Sequence, residues 1–301
     1  MLILVTGGTG FIGRSLCNRL LADGHSVAVL SRQPAKVAGL FGSKVTPVQP
    51  HSLAGTLQRC DAVINLAGAP IFGPRWSAER KRVLLDSRVA LTDQLVTQIA
   101  DQQNRPRILL SGSAIGYYGD RGDVSLSETT TPSDGFSHEL CAAWERAAGW
   151  ATELGVRVCT LRTGLVLGPK GGLLQRMSLP FRLGLGGRLG TGRQWMSWIH
   201  IDDHVEAMLA LLNTPHAQGP YNLTAPTPVT NRVFTEALAR QLHRPAIAHL
   251  PAPLLRLLLG EMSELLLASQ KVMPQRLTEE LGLVFKFPTL ELALSDCLKP
   301  S

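Results

Sequence analysis

Short apolar runs alternate with amphipathic stretches through the first half of the chain. Each run has four to six residues, which suits a buried strand, and each stretch between runs repeats its apolar residues at helical spacing. Such alternation predicts a parallel sheet covered by helices on both faces, which is an α/β fold. The predicted strands are Leu2–Val5, Val27–Leu30, Val45–Val48, Asp61–Leu66, Arg107–Leu110 and Val156–Leu161.

Helices are predicted between these strands and in the last third. Beyond Leu167 the texture changes, with Gly and Pro dense from 168 to 192 and a tail from 251 to 301 that is mostly helical. We therefore predict a dinucleotide-binding domain over 1–167, with segments near 195–222 returning to it. Residues 168–301 are predicted to form mainly a smaller, helical substrate lobe. One predicted helix begins near Ile12, and the others span 77–102, 137–154, 205–212 and 232–242.

A glycine-rich turn follows the first predicted strand at once. Gly7, Gly8, Gly10 and Gly13 stand between that strand and an amphipathic helix. Glycines in this context let the backbone come close to phosphate oxygens, while the amides and positive dipole end of the helix face the anion. The turn therefore predicts a site for the pyrophosphate of a dinucleotide, in a doubly wound (Rossmann) sheet.

Composition narrows the class of protein. The chain has 301 residues and a net charge of +7, without a block of consecutive basic residues and with few aromatics, which disfavours a nucleic-acid partner. The five cysteines have no metal-ligand or disulfide-framework spacing, and this indicates reduced thiols. The first apolar run is too short for a signal peptide, and we find no segment that would span a membrane. We expect a cytoplasmic protein with a small-molecule substrate and no membrane partner.

The residues after the second strand indicate which nucleotide binds. A carboxylate at the end of this strand would select NAD by binding both ribose hydroxyls. Ser31 and Arg32 occupy the place instead, and a hydroxyl with a guanidinium suits a 2′-phosphate. We therefore predict NADP rather than NAD. FAD is a weaker alternative, because the glycine turn alone does not exclude it.

Several motifs together resemble the extended short-chain dehydrogenases/reductases (SDRs). They are Thr6-Gly-Gly-Thr-Gly-Phe-Ile-Gly13, Asn65-Leu-Ala-Gly68, Ser111-Gly-Ser-Ala114 leading to Tyr118-Gly119, and Trp198-Ile-His-Ile-Asp202. Further stretches resemble the epimerase-like subgroup labelled sugar-nucleotide epimerase. They are Cys141-Ala-Ala-Trp144-Glu145, Pro180-Phe-Arg-Leu-Gly-Leu-Gly-Gly187 and Lys271-Val-Met-Pro-Gln-Arg276. The resemblance covers essentially the whole chain.

The resemblance implies a set of cofactor contacts. The turn would hold the pyrophosphate, Ser31 and Arg32 the 2′-phosphate, and the end of the fourth strand the groove between adenosine and nicotinamide. Val166 would approach the nicotinamide, and basic residues of the helix near 77–95 would reach phosphate or an anionic substrate. The implied cofactor-binding residues are Gly7, Gly10, Phe11, Ile12, Gly13, Ser31, Arg32, Leu66, Ala67, Gly68, Arg82, Arg88 and Val166.

The catalytic residues depart from the family pattern. Family members use a serine, which Ser113 matches, and a Tyr-x-x-x-Lys pair on a later helix. Here Ser137 and Cys141 stand in the tyrosine and lysine positions. A serine hydroxyl is too weak an acid to replace tyrosine, and Cys141 lacks the charge.

Three alternatives follow from the missing pair. An acid lies elsewhere, with Tyr117, Tyr118 and His138 as candidates; or water or substrate supplies the proton; or the protein binds NADP without turnover, as a sensor or regulator. We expect an atypical oxidoreductase or epimerase-like enzyme acting on a small polar, possibly nucleotide-linked, carbonyl or hydroxyl compound. Its candidate catalytic residues are Ser113 and Tyr117.

Other constellations predict less. His200, Asp202, Asp203 and His204 have metal-ligand spacing, but they open a predicted helix that Asp202 or Asp203 would cap, so we predict no metal site. Trp195 and Trp198 either stack on a substrate or pack between lobes. Family members often dimerise through two long helices, so a homodimer stays open. The resemblance implies substrate phosphate contacts in the glycine-rich stretch, whose arginines are Arg176, Arg182, Arg188 and Arg193.

Overall fold

The computed structural model describes residues 1–169 and 171–299. Its strands are β1 (Leu2–Thr6), β2 (Ser26–Leu30), β3 (Val45–Val48), β4 (Ala62–Asn65), β5 (Ile108–Ala114), β6 (Ser125–Leu126), β7 (Arg157–Thr163), β8 (Leu165–Leu167), β9 (Gly187–Leu189), β10 (Trp195–Met196), β11 (Trp198–His200), β12 (Gly219–Leu223), β13 (Val229–Thr230), β14 (Ala248–Leu250) and β15 (Lys271–Val272).

The α-helices lie between and after these strands. They are α1 (Phe11–Ala22), α2 (Pro34–Phe41), α3 (Leu53–Leu57), α4 (Ala78–Leu85), α5 (Leu91–Ala100), α6 (Phe136–Gly149), α7 (Gly172–Arg182), α8 (Ile201–Asn213), α9 (Asn231–Leu242), α10 (Ala252–Leu259), α11 (Glu264–Leu267), α12 (Gln275–Glu279) and α13 (Leu290–Cys297).

One large parallel sheet organises the described residues. Its strands lie in the order β12-β7-β5-β4-β1-β2-β3, and each neighbouring pair is parallel. The order reverses between β1 and β4, so the carboxyl ends of these two strands open onto the crevice where doubly wound sheets bind ligands. The predicted α/β doubly wound fold is confirmed.

Both faces of the sheet are buried, which explains why its strands read as continuous apolar runs. Along β1, Ile3 and Val5 face one hydrophobic core, and Leu4 faces a second core on the opposite side. Helices α1 and α8 contribute to the first core, and α5 to the second. Alternate side chains of each strand therefore pack against helices on both sides, as the period of two requires.

Two predicted helices differ in detail from the structure. The stretch predicted as one helix over 77–102 is α4 and α5 joined by a π-helical turn, Asp86–Ala90. The stretch predicted over 137–154 is α6 followed by a 3₁₀ segment, Trp150–Leu154. A π turn inserts one residue into a helix and often marks a functional site. Apolar periodicity did not reveal it because the buried positions on its two sides, such as Leu84 and Leu95, keep helical spacing.

The C-terminal third builds a third core beside the sheet. Trp198, Phe234 and Leu290 are buried together there, and α9 packs against α13. The chain also returns to the sheet, because β12 pairs with the edge of β7. The predicted boundary between 167 and 168 stays a prediction, and residues 170, 300 and 301 of the second segment lie outside the described residues. Across the described ranges, no helix combines the length and apolarity that crossing a membrane requires.

Candidate functional site

Two positions in the glycine turn at the end of β1 lie too close to neighbouring backbone to carry a side chain. Gly7 has φ +70°, and a Cβ there would lie 2.6 Å from the Leu66 carbonyl oxygen, which belongs to the loop after β4. A Cβ on Gly13 would overlap the Gly7 carbonyl. By contrast, a Cβ on Gly10 would meet only the Gly7 carbonyl, at 3.2 Å. The turn therefore packs tightly against its own helix and against β4, while Gly10 faces more open space.

Helix α1 begins directly behind this turn. Gly10 is its N-cap, and no side chain caps the first amides. The first helical hydrogen bond runs from the Arg14 amide to the Gly10 carbonyl, so the amides of Phe11 and Ile12 precede the ladder. Amides in that position carry the positive end of the helix dipole and are available to an anion. These residues therefore fit a diphosphate.

Ser31 and Arg32 leave β2 next to the glycine turn. Leu30 pairs with Thr6, so the segments that follow β1 and β2 leave the sheet side by side. The Ser31 hydroxyl accepts a hydrogen bond from the Gln33 amide at 3.0 Å, whereas Arg32 is exposed. From residue 24 to residue 60 the sequence contains no Asp or Glu. The Arg32 charge is therefore not balanced by its own segment, and an anionic group suits its surroundings.

The loop after β4 is joined to the π turn through Arg88. Its guanidinium donates to the Ala69 carbonyl at 2.9 Å, and the Ser87 hydroxyl accepts from the Ala69 amide at 3.0 Å. Gly68 makes room for this contact, because a Cβ there would lie 3.0 Å from the guanidinium carbon. Burial lowers the pKa of Arg88. Within the described residues, no carboxylate forms an ion pair with Arg88.

A buried network of polar side chains holds this region from behind. The Thr92 hydroxyl donates to the Arg88 carbonyl at 2.6 Å, and it accepts from the Asn65 amide at 2.8 Å and from the Trp144 indole at 3.0 Å. Asn65 in turn accepts from the Thr6 hydroxyl at 2.6 Å. Because these groups satisfy one another, they fix β1, β4, the π turn and α6 in one arrangement.

Ser113 lies near the end of β5, opposite Arg162 on β7. Its hydroxyl donates to Glu145 Oε1 at 2.7 Å, and Arg162 donates to both carboxylate oxygens of Glu145, at 2.8 and 2.9 Å. The hydroxyl proton of Ser113 is thereby committed to Glu145. The Ser113 oxygen is left as an acceptor, which suits the hydroxyl of an alcohol.

The adjacent tyrosines have different environments. Tyr118 is fully buried: its hydroxyl donates to Asn222 at 2.7 Å and accepts from Arg162 at 3.0 Å. Burial raises the pKa of Tyr118 to about 12, so this side chain is not placed to give a proton to a substrate. The Tyr117 ring is half-buried, with the Arg162 guanidinium 3.5 Å from its centroid and the His138 ring at 5.1 Å.

Ser137 and Cys141 are both buried on the face of α6 that packs on the turn after β5. A Cβ on Gly116 would lie 3.1 Å from the Ser137 Cβ and 3.6 Å from the Cys141 Sγ. Burial raises the pKa of the Cys141 thiol to about 12, so this cysteine stays protonated at neutral pH. The two positions that carry tyrosine and lysine in the resembled family are thus filled by small buried groups.

The structure brings most of the predicted site residues to the crevice, but not all. Val166 lies on β8, and its carbonyl is 3.2 Å from where a Gly172 Cβ would be, beside the Phe11 ring. Arg82 is exposed on α4, two positions from buried Leu84, and so points away from the buried face of that helix. Leu66, Ala67 and Gly68 follow β4 at the crevice.

The residues with metal-ligand spacing have structural partners. His200, and neither predicted aspartate, caps α8: its ring accepts from the Asp202 amide at 3.1 Å. The prediction that Asp202 or Asp203 is the cap is wrong, because Asp203 instead accepts the amides of Lys286 and Phe287, at 2.7 and 2.9 Å. In residues 1–169 and 171–299, no three His, Cys, Asp or Glu side chains are grouped to hold a metal ion.

The sequence left open whether Trp195 and Trp198 stack on a substrate or pack between segments of the chain, and the structure gives the contacts of both. Trp198 is fully buried and donates to the Thr227 carbonyl at 3.1 Å, so it packs in the C-terminal core. Trp195 is half-buried, donates to Asp123 at 2.8 Å and has the Lys271 ammonium 4.6 Å from its ring centroid. Both therefore join segments of this chain.

Sequence reasoning missed the Glu145–Arg162 pair and the Asn65–Thr92–Trp144 network. A signal for the first was present, since Arg162 stands in a run of otherwise uncharged strand residues, Val158–Thr163. A charge inside a buried strand needs a partner. The network gave no comparable signal, because Thr92 and Trp144 lie 52 residues apart and meet only in the fold.

Known proteins resemble this chain in both sequence and fold. Residues 3–224 match the model of the NAD dependent epimerase/dehydratase family, and residues 250–297 match a domain of unknown function, DUF1731. Epimerase family protein MW0731 of Staphylococcus aureus is 39% identical over 298 residues, which cover 98% of each chain.

Two solved structures illustrate the structural similarity. The human epimerase family protein SDR39U1, whose structure holds NADPH, is 35% identical with a TM-score of 0.89 and 99% coverage of both chains. The UDP-glucuronic acid 4-epimerase of Bacillus cereus is 20% identical, with a TM-score of 0.80 over 99% of this chain and 98% of its own, and shares the fold. By sequence match and by architecture, this chain belongs to the NAD-dependent epimerase/dehydratase family.

Proposed function

We propose that this protein binds NADP(H) at the carboxyl edge of its sheet and exchanges hydride with a small polar carbonyl or hydroxyl compound. The observation that carries the choice of nucleotide is Arg32, an exposed guanidinium beside the glycine turn in a segment without carboxylates. A 2′-phosphate brings the charge that this position lacks. The human relative crystallised with NADPH supports the same choice.

The residues divide between the two halves of the nucleotide. The amides of Phe11 and Ile12, with Gly7, Gly10 and Gly13, would hold the diphosphate. Ser31 and Arg32 would bind the 2′-phosphate, while the loop Leu66–Gly68 and Arg88 would line the path toward the nicotinamide. Val166 would close the opposite wall, because it lies beside Phe11.

When bound, the nicotinamide supplies or accepts the hydride. Ser113 would accept a hydrogen bond from the hydroxyl of an alcohol substrate, because its own proton is held by Glu145, and the oxygen of a carbonyl substrate would instead accept from Tyr117. Tyr117 is the tyrosine that we propose as proton donor. Its ring contacts Arg162 and His138, and it is half-buried, whereas Tyr118 is fully buried.

Two residues of α6, Ser137 and Cys141, favour a second function. Ser137 and Cys141 are buried and uncharged where the resembled family has its tyrosine and lysine. A protein that binds NADP(H) without turnover, as a sensor or regulator, would need neither group. The five cysteines are all buried free thiols, which supports a reducing, cytoplasmic compartment for either function.

Calorimetry with NADPH, NADH and 2′,5′-ADP tests the nucleotide. We expect NADPH to bind more tightly than NADH, and Arg32→Asp to reverse that order by at least about tenfold, since a charged hydrogen bond is lost and a repulsion gained. The matched control is Lys44→Asp, which reverses a nearby exposed charge away from the end of β2. Equal affinity for the two nucleotides in the unaltered protein would refute the proposal.

Turnover separates the enzyme from the sensor. The fall in NADPH absorbance would be followed with a panel of small aldehydes, ketones and keto-sugars. The enzyme is supported if the unaltered protein consumes NADPH and Tyr117→Phe abolishes this consumption without changing the affinity for NADPH. Tight NADPH binding with no consumption across the panel supports the sensor.

A further inference from the structure

The side chain of Phe11 is enclosed by glycines from a distant part of the chain. A Cβ on Gly168 would lie 2.8 Å from the ring Cζ, and one on Gly172 would lie 2.9 Å from Cε1. A Cβ on Gly171 would overlap Cδ2. The three glycines therefore meet the tip and both edges of the ring, and a side chain at any of them would collide with it. We call Gly168, Gly171 and Gly172 the glycine seat.

The glycine seat lies where the chain passes from β8 to the third core. Gly168 directly follows β8, Gly171 is the N-cap of α7, and Gly172 is the first residue of that helix. Leu174, in the first turn of α7, is buried in the third core. Gly172 has φ +69°, a left-handed conformation that favours glycine. The Phe11 ring is thus a contact between the start of α1 and the start of the C-terminal lobe.

The same residue also belongs to the nucleotide turn. Phe11 is the first residue of α1, and its backbone amide is one of the two that would hold the diphosphate. Its backbone therefore serves the proposed nucleotide site while its ring fills the glycine seat. We propose that Phe11 is a positioning residue that couples binding of the dinucleotide to the start of α7. This inference rests on the proposed function, because it needs a nucleotide at the turn.

Glycines make this coupling possible, because they leave the backbone of the junction free to move unless another group holds it. A phosphate on the Phe11 amide restricts the backbone of that residue. The ring has little room to swing in response, since Ile201 of α8 borders the same space: a Cβ on Gly168 would lie 2.8 Å from Ile201 Cγ2 as well. Restricting Phe11 therefore restricts the start of α7, so a bound nucleotide lowers the mobility of this helix. Coupling between two sites is reciprocal, so a change in the seat must alter the affinity for the nucleotide.

Hydrogen exchange followed by mass spectrometry tests the coupling in the full chain. Peptides from α7 would be compared with and without saturating NADPH, and calorimetry would measure the binding itself. We expect NADPH to slow exchange in α7 by about fivefold or more, which is the lower end of typical coupling between sites. Peptides from α13, which lies in the third core outside the glycine seat, should change less than those from α7.

Three variants remove or disturb the contact from its two sides. Phe11→Ala deletes the ring and keeps the backbone amide, so NADPH should still bind but no longer slow exchange in α7. Gly171→Ala adds a Cβ against the ring from the lobe side, and its φ of 177° is open to any residue. It should weaken NADPH by about fivefold or more, although Gly171 lies outside the nucleotide turn. In the double variant the added Cβ meets no ring, so its NADPH affinity should equal that of Phe11→Ala.

Matched controls replace similar residues elsewhere. Gly149→Ala adds a Cβ where nothing lies within 4 Å, and Phe285→Ala removes another half-buried ring that packs against the first core. Both should bind NADPH, and NADPH should slow exchange in α7 as it does in the unaltered chain. Thermal melting would check that each variant folds.

The outcomes separate this coupling from the proposed function. Slowing of α7 that Phe11→Ala abolishes supports the coupling. If the unaltered chain gives no heat with NADPH, both proposals are overturned. If NADPH binds and exchange in α7 is unchanged, the coupling alone is overturned. It is also overturned if Phe11→Ala raises exchange in α7 equally with and without NADPH, because a purely structural contact would give that result.

Discussion

The Ser113 hydroxyl lies 2.7 Å from Glu145 Oε1 and donates its proton to that carboxylate, which Arg162 holds from the other side. The arrangement has two results. The Ser113 oxygen keeps a lone pair, and not a proton, for a further partner, and the charge of Arg162 is balanced inside the protein, where its side chain is 4% exposed. The strength of this cluster is therefore measurable as protein stability.

Glu145→Gln should destabilise the fold. The substitution leaves the buried Arg162 guanidinium without its counter-charge, and breaking a buried pair from one side costs about 3–5 kcal/mol. Urea unfolding followed by circular dichroism would measure the change. The control is Glu206→Gln, which breaks a pair with Arg19 whose side chains are 43–45% exposed and should cost less than about 1 kcal/mol. Similar small losses for both variants would contradict the pairing.

Gly13→Ala should disrupt the turn at the start of α1. The added Cβ would overlap the Gly7 carbonyl, so the turn must open and the dinucleotide site is lost with it. Gly39→Ala is the control, since nothing lies within 4 Å of a Cβ at that helical position. It should be neutral or stabilise the protein by about 0.5–1 kcal/mol. NADPH titration and thermal melting would be measured on both, and unchanged NADPH affinity in Gly13→Ala would count against the assignment.

Arg88→Met should weaken NADPH without affecting 2′,5′-ADP. The Arg88 guanidinium contacts the loop after β4, which β1 separates from the end of β2 where Ser31 and Arg32 follow, and 2′,5′-ADP lacks the nicotinamide half of the nucleotide. Loss of a charge-assisted hydrogen bond lowers affinity by about tenfold or more. Arg82→Met is the matched control on the exposed side of α4. Equal loss for both ligands would place Arg88 at the adenosine end or make its role structural.

Stability should fall in acid because of His204. Burial lowers the pKa of His204 to about 3, against 6.5 for an unperturbed histidine. Between these values the unfolded chain binds a proton that the folded chain does not, so stability rises with pH across this window and is lost as pH falls below about 6.5. The slope from one such group reaches about 1.4 kcal/mol per pH unit.

Comparing urea unfolding at neutral and acid pH would measure that slope. His204→Gln should flatten it, although the variant also alters the hydrogen bond at 3.0 Å between the ring and the Thr163 hydroxyl. His51→Gln, at an exposed position, is the control. If His204→Gln keeps the slope of the unaltered protein, the acid sensitivity comes from other groups.

Local signals predicted the sheet and the glycine turn well. Strands buried on both faces are continuous apolar runs, and the glycines at 7 and 13 stand where close backbone contacts forbid a side chain. Both features depend on neighbours in the sequence or on a short turn. The parallel, doubly wound sheet and the start of α1 near Ile12 followed from them.

Long-range pairings were beyond the sequence. The π turn is bonded to Thr92, which donates to the Arg88 carbonyl and accepts from Asn65 and Trp144 of other elements. Its pattern of apolar residues is that of an ordinary helix. The cap of α8 was missed for a similar reason, because Asp203 accepts hydrogen bonds from the amides of Lys286 and Phe287, which lie 83 and 84 residues further along the chain.

Strand β12 carries a lesson for any attempt to divide the molecule. It comes from residues 219–223, well past the predicted boundary, yet it covers the outer edge of β7 through parallel pairing. A fragment that stopped at 167 would expose the unpaired amides and carbonyls of β7 along five positions, and such bare edges recruit other chains. We expect that fragment to aggregate, so the nucleotide-binding half is inseparable from the polypeptide that follows it.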